Sequence, residues 1–525
     1  MKKSRKLMSI LLVVAMLFTL VSPAMADDGY TITINNTSET EHSYVAYQIF
    51  AGTVNDKGNL GNITWGSGIS DAGKDALGEA KTKAEALKTT ADAEAFAKAV
   101  APYLDVASGK LEKAGSVYTI SGLAAGYYLV KDADGSLNGT EDAYTEYLLK
   151  VVKNTTAELK SDVPEVVKKV KDTNDSTGST SEWQDSADHD INDVVPFQLT
   201  ATLANNLEKY AGAYKVVFHD TLSQGLTFKE ITSVKIVNTN GEITLNEDDY
   251  SFAKTTIQDD PETENMKEAT QFTITIADAK TAGAKNSCQV IVEYTATLNN
   301  QAEIGASGNP NVVYLEYSNN PNWDGSGEKE PTGKTPEDKV IVFTYQTVIN
   351  KVDSEQKPLS GAVFTLEKLV NGNWEPINVV ETKPDTTFTF KGLDDGFYRL
   401  KETVTPPGYN TIDDIYFEIE AKHDTTSPDP ELKELTATQK TENNGDLEEG
   451  KVTFKPTYTL ADGKIATKVV NNSGATLPET GGIGTTIFYV IGGALVLGAA
   501  VLLATQIPCI WYIPTIQILV INRKQ

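Results

Sequence analysis

The chain is poor in cysteine. Cys288 and Cys509 are the only cysteines among its 525 residues, and Cys509 lies in an apolar stretch close to the C-terminus. Exported proteins are free to use disulfides, yet the region between the two terminal apolar segments contains one cysteine and can form no disulfide of its own. Any covalent cross-link inside that region must therefore have another chemistry.

Histidine and positive charge are also scarce. The four histidines form no Ser-His-Asp, Cys-His or metal-spaced pattern, which counts against a secreted hydrolase. The net charge of −26 counts against a nucleic-acid partner, because phosphate binding needs basic patches. We expect no metal and no cofactor, and an acidic surface that self-repulsion keeps soluble.

Long apolar runs are confined to the ends of the chain. A basic segment at residues 2–6, an apolar run at 7–21 and the Ala-Met-Ala triplet at 24–26 predict a signal peptide over residues 1–26. Near the other end, residues 484–505 are uncharged and numerous enough to span a bilayer. These features predict a secreted protein with a C-terminal transmembrane segment.

Between these ends the sequence predicts a mainly β fold. Segments of alternating polarity, such as TITI (31–34) and QVIVEYTATL (289–298), are bounded by Gly, Asn, Asp and Pro, which is typical of strands joined by turns. The exception is the Ala- and Lys-rich segment 71–104, which has no proline until its end and predicts a solvated helical insertion.

Two linker-like stretches divide this β-rich region, one at 153–164 and one, rich in Gly, Pro and Glu, at 320–339. About 100 to 200 residues per domain is usual, so we expect three domains in tandem. Their predicted bounds are 27–158, 159–325 and 340–474.

An internal repeat relates the first and third of these domains. GLAAGYYLVKD (122–132) and GLDDGFYRLKE (392–402) match in Gly, Leu, Gly, Tyr and Lys at equivalent places. A shared Gly-Leu turn leading into a strand indicates that the two domains are relatives. The alignment places Asp132 opposite Glu402.

The motif TLPETGG precedes the C-terminal apolar run. With that run and the signal peptide, it resembles the cell-wall sorting signal of Gram-positive surface proteins, here over residues 477–525. The resemblance implies that a sortase cysteine cleaves between threonine and glycine and keeps the threonine as an acyl-enzyme. The implied recognition residues are Leu477, Pro478, Glu479, Thr480 and Gly481. The tail departs from the family pattern, because only Arg523 and Lys524 close it.

The third domain resembles the collagen-adhesin B-type domain of Gram-positive pilins and adhesins. The resemblance rests on INKVD (349–353), PLSGAVFTLEK (358–368) and YRLKETVTPPGY (398–409), the last of which is similar to the pilin "E-box". It implies an isopeptide bond between a buried lysine of the first strand and an asparagine of the last, assisted by an acid. The matching residues are Lys351, Asn471 and Glu402.

The chemistry and the strand phases agree with this assignment. The lysine must be neutral and the acid protonated, and burial shifts both pKa values in the required direction. Lys351, Glu402 and Asn471 each lie on the apolar phase of a predicted strand. Asn472 is out of phase and is the second choice.

The second domain resembles the isopeptide-forming second domain of major pilins. The resemblance rests on VPEVVKKVKD (163–172), FHDTLSQGLTF (218–228) and NVVYLEYSNNP (311–321). Strand phase selects Lys168 within its lysine run, and it favours Asp220 over Glu293, whose neighbours occupy the core phase. The predicted set is Lys168 and Asn319, assisted by Asp220.

The first domain lacks the reactive amine. Its opening strand has Asn35 and Asn36 where a lysine would be needed, so we predict no isopeptide bond there. Pilins of this class also carry a lysine, usually in a Tyr-Pro-Lys-Asn motif, that attacks the sortase acyl-enzyme of the next subunit. No Tyr-Pro-Lys occurs in this chain. Lys160, in an exposed linker, is the favoured acceptor and Lys153 is the alternative.

These resemblances imply a major shaft subunit of a Gram-positive pilus, made of three Ig-like β-sandwich domains. They imply a cell-wall or pilus location and no enzymatic turnover, because each isopeptide forms once. The implied partners are a class C pilus sortase and a housekeeping sortase, other copies of the chain, tip and base pilins, peptidoglycan and a host ligand. The alternative is a wall-anchored adhesin that is not polymerised.

Overall fold

The computed structural model describes most of the chain between its two ends. The described residues are 29–36, 38–55, 59–151, 153–159, 162–256, 269–323, 325, 330–377, 380–382, 385–443, 445–447, 451–474 and 495. The predicted signal peptide, the LPETG motif and the apolar run 484–505, apart from residue 495, lie outside them. No helix within the described ranges is long and apolar enough to cross a membrane.

The first part of the chain folds into a β-sandwich. Its strands are β1 (Tyr30–Asn36), β2 (Tyr44–Val54), β3 (Leu60–Trp65), β4 (Ala107–Ser108), β5 (Lys110–Ala114), β6 (Val117–Leu123), β7 (Gly126–Asp132), β8 (Glu146–Val151) and β9 (Thr155–Leu159). One sheet has the order β5-β6-β1-β9, and the other has the order β3-β2-β7-β8 with β4 paired to β2. Alternate residues such as Ile32, Ile34, Ile120 and Val130 form the core between the sheets.

The helical insertion is broken into three short helices, where the sequence predicted one helical segment over 71–104. These are α1 (Asp71–Leu77), α2 (Ala80–Ala86) and α3 (Thr90–Val100), followed by a single 3₁₀ turn (Ala101–Tyr103). Gly78 ends α1 with a φ of +80°, a conformation that glycine adopts easily.

The third helix is packed against the first sandwich. A reciprocal capping box between Thr89 and Asp92 starts α3. Its apolar face buries Phe96 and Val100 next to Phe50 of β2. The insertion is therefore anchored along one face, and only its other face is solvated.

The second part of the chain forms a larger sandwich. Its strands are β10 (Glu165–Val170), β11 (Thr173–Asn174), β12 (Ser179–Thr180), β13 (Ser186–Asp188), β14 (Val194–Thr202), β15 (Val216–Leu222), β16 (Leu226–Asn238), β17 (Gly241–Thr244), β18 (Ser251–Thr256), β19 (Thr270–Ile276), β20 (Gln289–Leu298), β21 (Asn309–Ser318), β22 (Thr332–Lys334) and β23 (Asp338–Phe343). A 3₁₀ turn (Leu207–Lys209) follows β14.

Two sheets enclose the core of this second sandwich. One has the order β10-β14-β20-β16-β17, and the other has the order β13-β23-β21-β15-β19-β18 with β22 beside β21. Strands β22 and β23 lie within or next to the predicted linker 320–339, so part of that stretch belongs to the sheet of the second sandwich. Cys288 is buried and unpaired in this sandwich.

The third part of the chain is again a sandwich. Its strands are β24 (Tyr345–Asp353), β25 (Val363–Val370), β26 (Asn373–Pro376), β27 (Val380–Thr382), β28 (Thr387–Leu393), β29 (Gly396–Val404), β30 (Ile415–His423), β31 (Leu432–Lys440), β32 (Thr457–Thr459) and β33 (Lys464–Asn471). The two sheets have the orders β27-β28-β24-β33-β32 and β26-β25-β29-β30-β31. The prediction of a mainly β chain of Ig-like sandwiches is confirmed.

The internal repeat occupies the same place in the first and third sandwiches. In both, the first strand pairs with the last in parallel, β1 with β9 and β24 with β33. The repeated Gly-Leu turns contain Gly122 and Gly392 at φ values of +75° and +76°. The registers place Ile34 opposite Tyr118 and Ile349 opposite Phe388, so Asn36 occupies the position of Lys351.

Candidate isopeptide sites

The structure brings the three predicted residues of the third sandwich together. Lys351 lies near the end of β24, opposite Val469 of the parallel strand β33, and Asn471 lies two residues further along β33. Glu402 projects from β29 of the facing sheet. Each side chain occupies the inward phase that its apolar neighbours define, and Lys351 and Asn471 are fully buried.

The contacts join the asparagine to both of the other groups. Lys351 Nζ donates to Asn471 Oδ1 at 2.5 Å and to the carbonyl oxygen of Val469 at 3.0 Å. Asn471 Nδ2 donates to both carboxylate oxygens of Glu402, at 2.9 and 3.0 Å. The amide therefore lies between the amine that would attack it and the acid that would protonate its nitrogen.

The environment favours the neutral amine that attack requires. Burial lowers the pKa of Lys351 to about 8, against the opposing attraction of the Glu402 carboxylate. Glu402 Oε2 is further held by the backbone N–H of Ile412 at 3.2 Å and by the hydroxyl of Thr405 at 3.3 Å. Asn472, the second choice, is exposed at the edge of the strand.

The second sandwich contains a similar buried pair. Lys168 of β10 and Asp220 of β15 form a direct ion pair, and both side chains are fully buried. Burial lowers the pKa of Lys168 to about 8, although Asp220 opposes that shift. Burial also raises the pKa of Asp220. Glu293, the rival acid, accepts a hydrogen bond from Gln198 at 2.8 Å on the other face of the sheet.

The structure does not place the predicted asparagine, Asn319, beside this pair. Asn319 is buried, but its Nδ2 donates to the carbonyl oxygens of Leu137 at 2.9 Å and Asp142 at 3.1 Å, both in the first sandwich. Asn311 occupies the place expected of Asn319. Its Nδ2 donates at 2.7 Å to the hydroxyl of Tyr294, which Lys168 Nζ also contacts at 3.0 Å.

Strand register explains the error. Asn311 lies on the inward phase of β21, and Asn319, one residue past the end of that strand, has the same parity, so alternation alone does not separate them. The pairing of β15 with β21 sets Asp220 opposite Val313, only two residues from Asn311. Asn319 lies beyond the end of β21, where the chain contacts the first sandwich.

The equivalent position in the first sandwich has a different set of groups. Asn36 stands where Lys351 stands, and its side chain bonds the turn that follows, to Ser38 N and Thr40 O. Asp132 contacts His42 Nδ1 at 2.8 Å and accepts from Thr145 N at 2.7 Å.

His42 is held on both sides. Its Nε2 lies 3.1 Å from Asp142 Oδ2, while its Nδ1 faces Asp132. These two carboxylates raise the pKa of His42 to about 9, against the opposing effect of burial. The acid that matches Glu402 is thus paired with an imidazolium in place of a lysine.

The residues predicted for polymerisation lie mainly outside the described part. This applies to Lys160 and to the whole LPETG motif. The described residues next to Lys160 belong to β9, which ends at Leu159, and to Asp162, whose carboxylate accepts from Asn205 N. Lys153, the alternative, is exposed in the bend between β8 and β9.

A third buried lysine was not predicted. Lys368 of β25 is 1% exposed and contacts Asp394 directly, Asp190 Oδ2 at 2.6 Å and Asp175 Oδ2 at 3.4 Å. These carboxylates raise its pKa although burial opposes them. Asp175 and Asp190 come from the segment before β14, so the cluster joins the second and third sandwiches.

A second cluster lies at the same joint. His423 Nε2 is 3.5 Å from Asp172 and 3.4 Å from Asp188, a set of donors that could also hold a metal ion. The two carboxylates raise the pKa of His423 to about 9 against the effect of burial. The imidazole is therefore itself the cation that the two carboxylates hold.

Comparison with known proteins finds family models that match parts of two of the three sandwiches. Residues 191–321 match the Gram-positive pilin backbone subunit 2, Cna-B-like domain. Residues 346–434 match the SpaA prealbumin-like fold domain. The first match includes Asp220 and Asn311 but not Lys168, and the second includes Lys351 and Glu402 but not Asn471.

The similarity to individual proteins extends over most of the chain. The trypsin-resistant surface T6 protein of Streptococcus pyogenes serotype M6 is 27% identical over 94% of this chain and 97% of its own length. The solved T6 backbone pilin of that serotype, described as modular and three-domain, covers 86% of this chain and 100% of its own, at 19% identity and a TM-score of 0.53. The major pilin SpaA of Corynebacterium diphtheriae covers 84% and 100%, at 13% identity and a TM-score of 0.45.

Proposed function

Because parts of its second and third sandwiches match a Gram-positive pilin backbone domain and the SpaA prealbumin-like fold domain, we propose that this protein is the shaft subunit of a covalently polymerised pilus. A class C sortase joins the carbonyl carbon of Thr480 in one subunit to the amine of Lys160 in the next. Lys153 is the alternative acceptor. A housekeeping sortase attaches the finished polymer to peptidoglycan, and tip and base pilins complete the fibre.

One observation carries this proposal: two consecutive sandwiches each enclose a buried lysine, an acid and an asparagine. In the third sandwich, Lys351 and Asn471 lie on the parallel first and last strands, where a bond would tie the two ends of the domain together. Such a bond would bear tension directly through the domain. It would also replace the disulfides that a chain with one ectodomain cysteine does not have.

The bond in the third sandwich follows from the observed contacts. The amine of Lys351 attacks Cγ of Asn471, a new C–N bond forms, and the bond to Nδ2 breaks. Lys351, initially an ammonium, gives up two protons in all: one leaves with Nδ2 as ammonia, and one remains on Glu402. Glu402 is suited to this transfer because both its oxygens already contact the leaving nitrogen.

Intact mass of the secreted region, residues 27–474, tests this chemistry. We expect a deficit of two ammonia molecules, with cross-linked peptides joining Lys351 to Asn471 and Lys168 to Asn311. The variant Lys351→Arg should lose one of the two deficits, while Lys357→Arg, at an exposed lysine in the next turn, should keep both. A full unmodified mass for the wild-type protein would refute both sites.

Polymerisation is tested by co-expression with a pilus sortase. We expect a ladder of high-mass species on denaturing gels that Lys160→Ala removes and Lys153→Ala retains. The reverse pattern would make Lys153 the acceptor. A wild-type protein that reaches the wall but forms no ladder would be a non-polymerised adhesin, and the shaft proposal would then be wrong.

A further inference from the structure

The phenol of Tyr294 lies at the centre of the site in the second sandwich. Its hydroxyl is 3.0 Å from Lys168 Nζ, 3.2 Å from each carboxylate oxygen of Asp220 and 2.7 Å from Asn311 Nδ2. Among the side chains that the structure describes, it is the one group that contacts the amine, the acid and the amide together. Tyr294 is itself fully buried on β20.

The two sites differ in how the amide reaches the acid. In the third sandwich, Asn471 contacts Lys351 and Glu402 without an intermediary. In the second, the carboxylate is occupied by the lysine, and the described contacts of Asn311 Nδ2 reach Asp220 only through the hydroxyl of Tyr294. The second site therefore needs a group that transfers a proton across this gap.

We propose that Tyr294 is a catalytic residue of isopeptide formation in the second sandwich, holding the amide of Asn311 next to Lys168 and relaying a proton from Asp220 to the departing nitrogen. This inference rests on the proposed function of Lys168 and Asn311. It assigns to the second sandwich a reaction geometry that the third does not use.

The relay balances protons and bonds. Lys168 passes one proton to Asp220 and attacks Cγ of Asn311. Once the tetrahedral intermediate forms, Nδ2 is no longer conjugated with the carbonyl and becomes basic. Tyr294 then gives its proton to Nδ2 and takes the proton of Asp220, and the C–Nδ2 bond breaks to release ammonia. The second proton of the attacking nitrogen returns to Asp220, which ends protonated.

The surroundings of Tyr294 suit a relay. Its ring is stacked on Phe197 at 5.2 Å between centroids and meets the edge of Phe272 at 5.0 Å, so its position is fixed by packing. Burial raises the pKa of its hydroxyl far above the usual value, and the nearby Asp220 carboxylate adds to the shift. The phenol therefore stays protonated and passes a proton on without becoming an anion.

The test is the rate of bond formation in Tyr294→Phe. The chain is made by timed cell-free synthesis, quenched with acid and followed by intact mass and peptide mapping. We expect the Lys168–Asn311 bond to form at least tenfold more slowly. This lower bound is conservative, because general acid–base catalysis usually contributes about 100-fold or more. The Lys351–Asn471 bond should form at the wild-type rate and report that the chain has folded.

Tyr317→Phe is the matched control. It removes another buried hydroxyl from the same core, one with no hydrogen-bond partner among the described residues, and should leave both rates unchanged. A wild-type rate in Tyr294→Phe would overturn the relay. An equal slowing in Tyr317→Phe would also overturn it, because the effect would then belong to core packing.

A second substitution separates the relay from a packing role. Fluorotyrosine at position 294 keeps the shape of the ring but makes the phenol a stronger acid, so the Lys168–Asn311 rate should change while the Lys351–Asn471 rate should not. An unchanged Lys168–Asn311 rate would contradict the relay. Failure of the proposed site itself gives a different result, a wild-type protein whose mapped peptides contain no Lys168–Asn311 bond.

Discussion

Two regions of this molecule bury lysine with opposite results. In the cores of the second and third sandwiches, burial dominates and lowers the pKa values of Lys168 and Lys351 to about 8. At the joint between those sandwiches, Lys368 is equally buried, but several carboxylates raise its pKa. Burial alone therefore does not make an amine reactive. The number of carboxylates that face it determines whether it is a neutral nucleophile or a charged ammonium held in ion pairs.

Removing the acid of the site in the third sandwich should have the largest effect on bond formation and on stability. Glu402→Ala takes away the group that protonates Asn471, so the Lys351–Asn471 bond should not form. A cross-link between Lys351 and Asn471, which are 120 positions apart, is worth about 5 kcal/mol in the chain-entropy estimate. Intact mass and thermal unfolding measure both effects. Glu420→Ala, at an exposed position on β30, is the control and should change neither.

Removing Lys368, the lysine at the joint, should destabilise the fold without changing either isopeptide bond. Lys368→Met leaves Asp190 and Asp394 buried near each other without their cation. Breaking a buried ion pair in this way costs about 3 to 5 kcal/mol. Chemical denaturation should show that loss, and the mass deficit of two ammonia molecules should stay unchanged. A further deficit of one water in the wild-type protein would show that Lys368 reacts and would contradict the comparison.

The two clamped histidines should make stability depend on pH. Their folded pKa values of about 9 exceed the unfolded value near 6.5. Their contribution is therefore complete below pH 6.5 and is lost as pH rises from 6.5 to 9. We expect a fall on the order of 3 kcal/mol for each histidine across that window, measured by denaturation at fixed pH. His42→Gln should flatten the profile of the first sandwich, and an unaltered profile would contradict the ion pairs.

The two asparagines of the second sandwich should behave differently, and Asn319 should give the smallest effect on stability of these variants. Asn319→Ala should leave both mass deficits intact and cost about 1 to 2 kcal/mol, because two buried carbonyl groups of the first sandwich lose their donor. Asn311→Ala should abolish the Lys168 bond. If Asn319→Ala instead removes that bond, the assignment of Asn311 is wrong.

The family resemblance and strand alternation together were sufficient to predict the set in the third sandwich. Lys351, Glu402 and Asn471 lie on three strands whose inward phases are each marked by apolar neighbours, so phase alone brings them to one core. Alternation was insufficient for the second sandwich, because Asn319, just beyond the end of β21, has the same parity as Asn311, and only the pairing register shows which of them lies near Asp220. No sequence pattern indicates the role of Tyr294, because a tyrosine on the inward phase of a strand is indistinguishable from an ordinary core residue.

The sequence by itself determined the class of fold, the repeat that relates the first and third sandwiches, and which two lysines lie in the cores of the candidate sites. These are properties of local pattern, which periodicity and short motifs record. Only the tertiary structure decided which asparagine faces Lys168, why Asp132 is paired with His42, and why Lys368 remains an ammonium. Each of these depends on groups that are distant in the chain and adjacent in space, and their electrostatic effect on one another exists only once the sandwiches have packed.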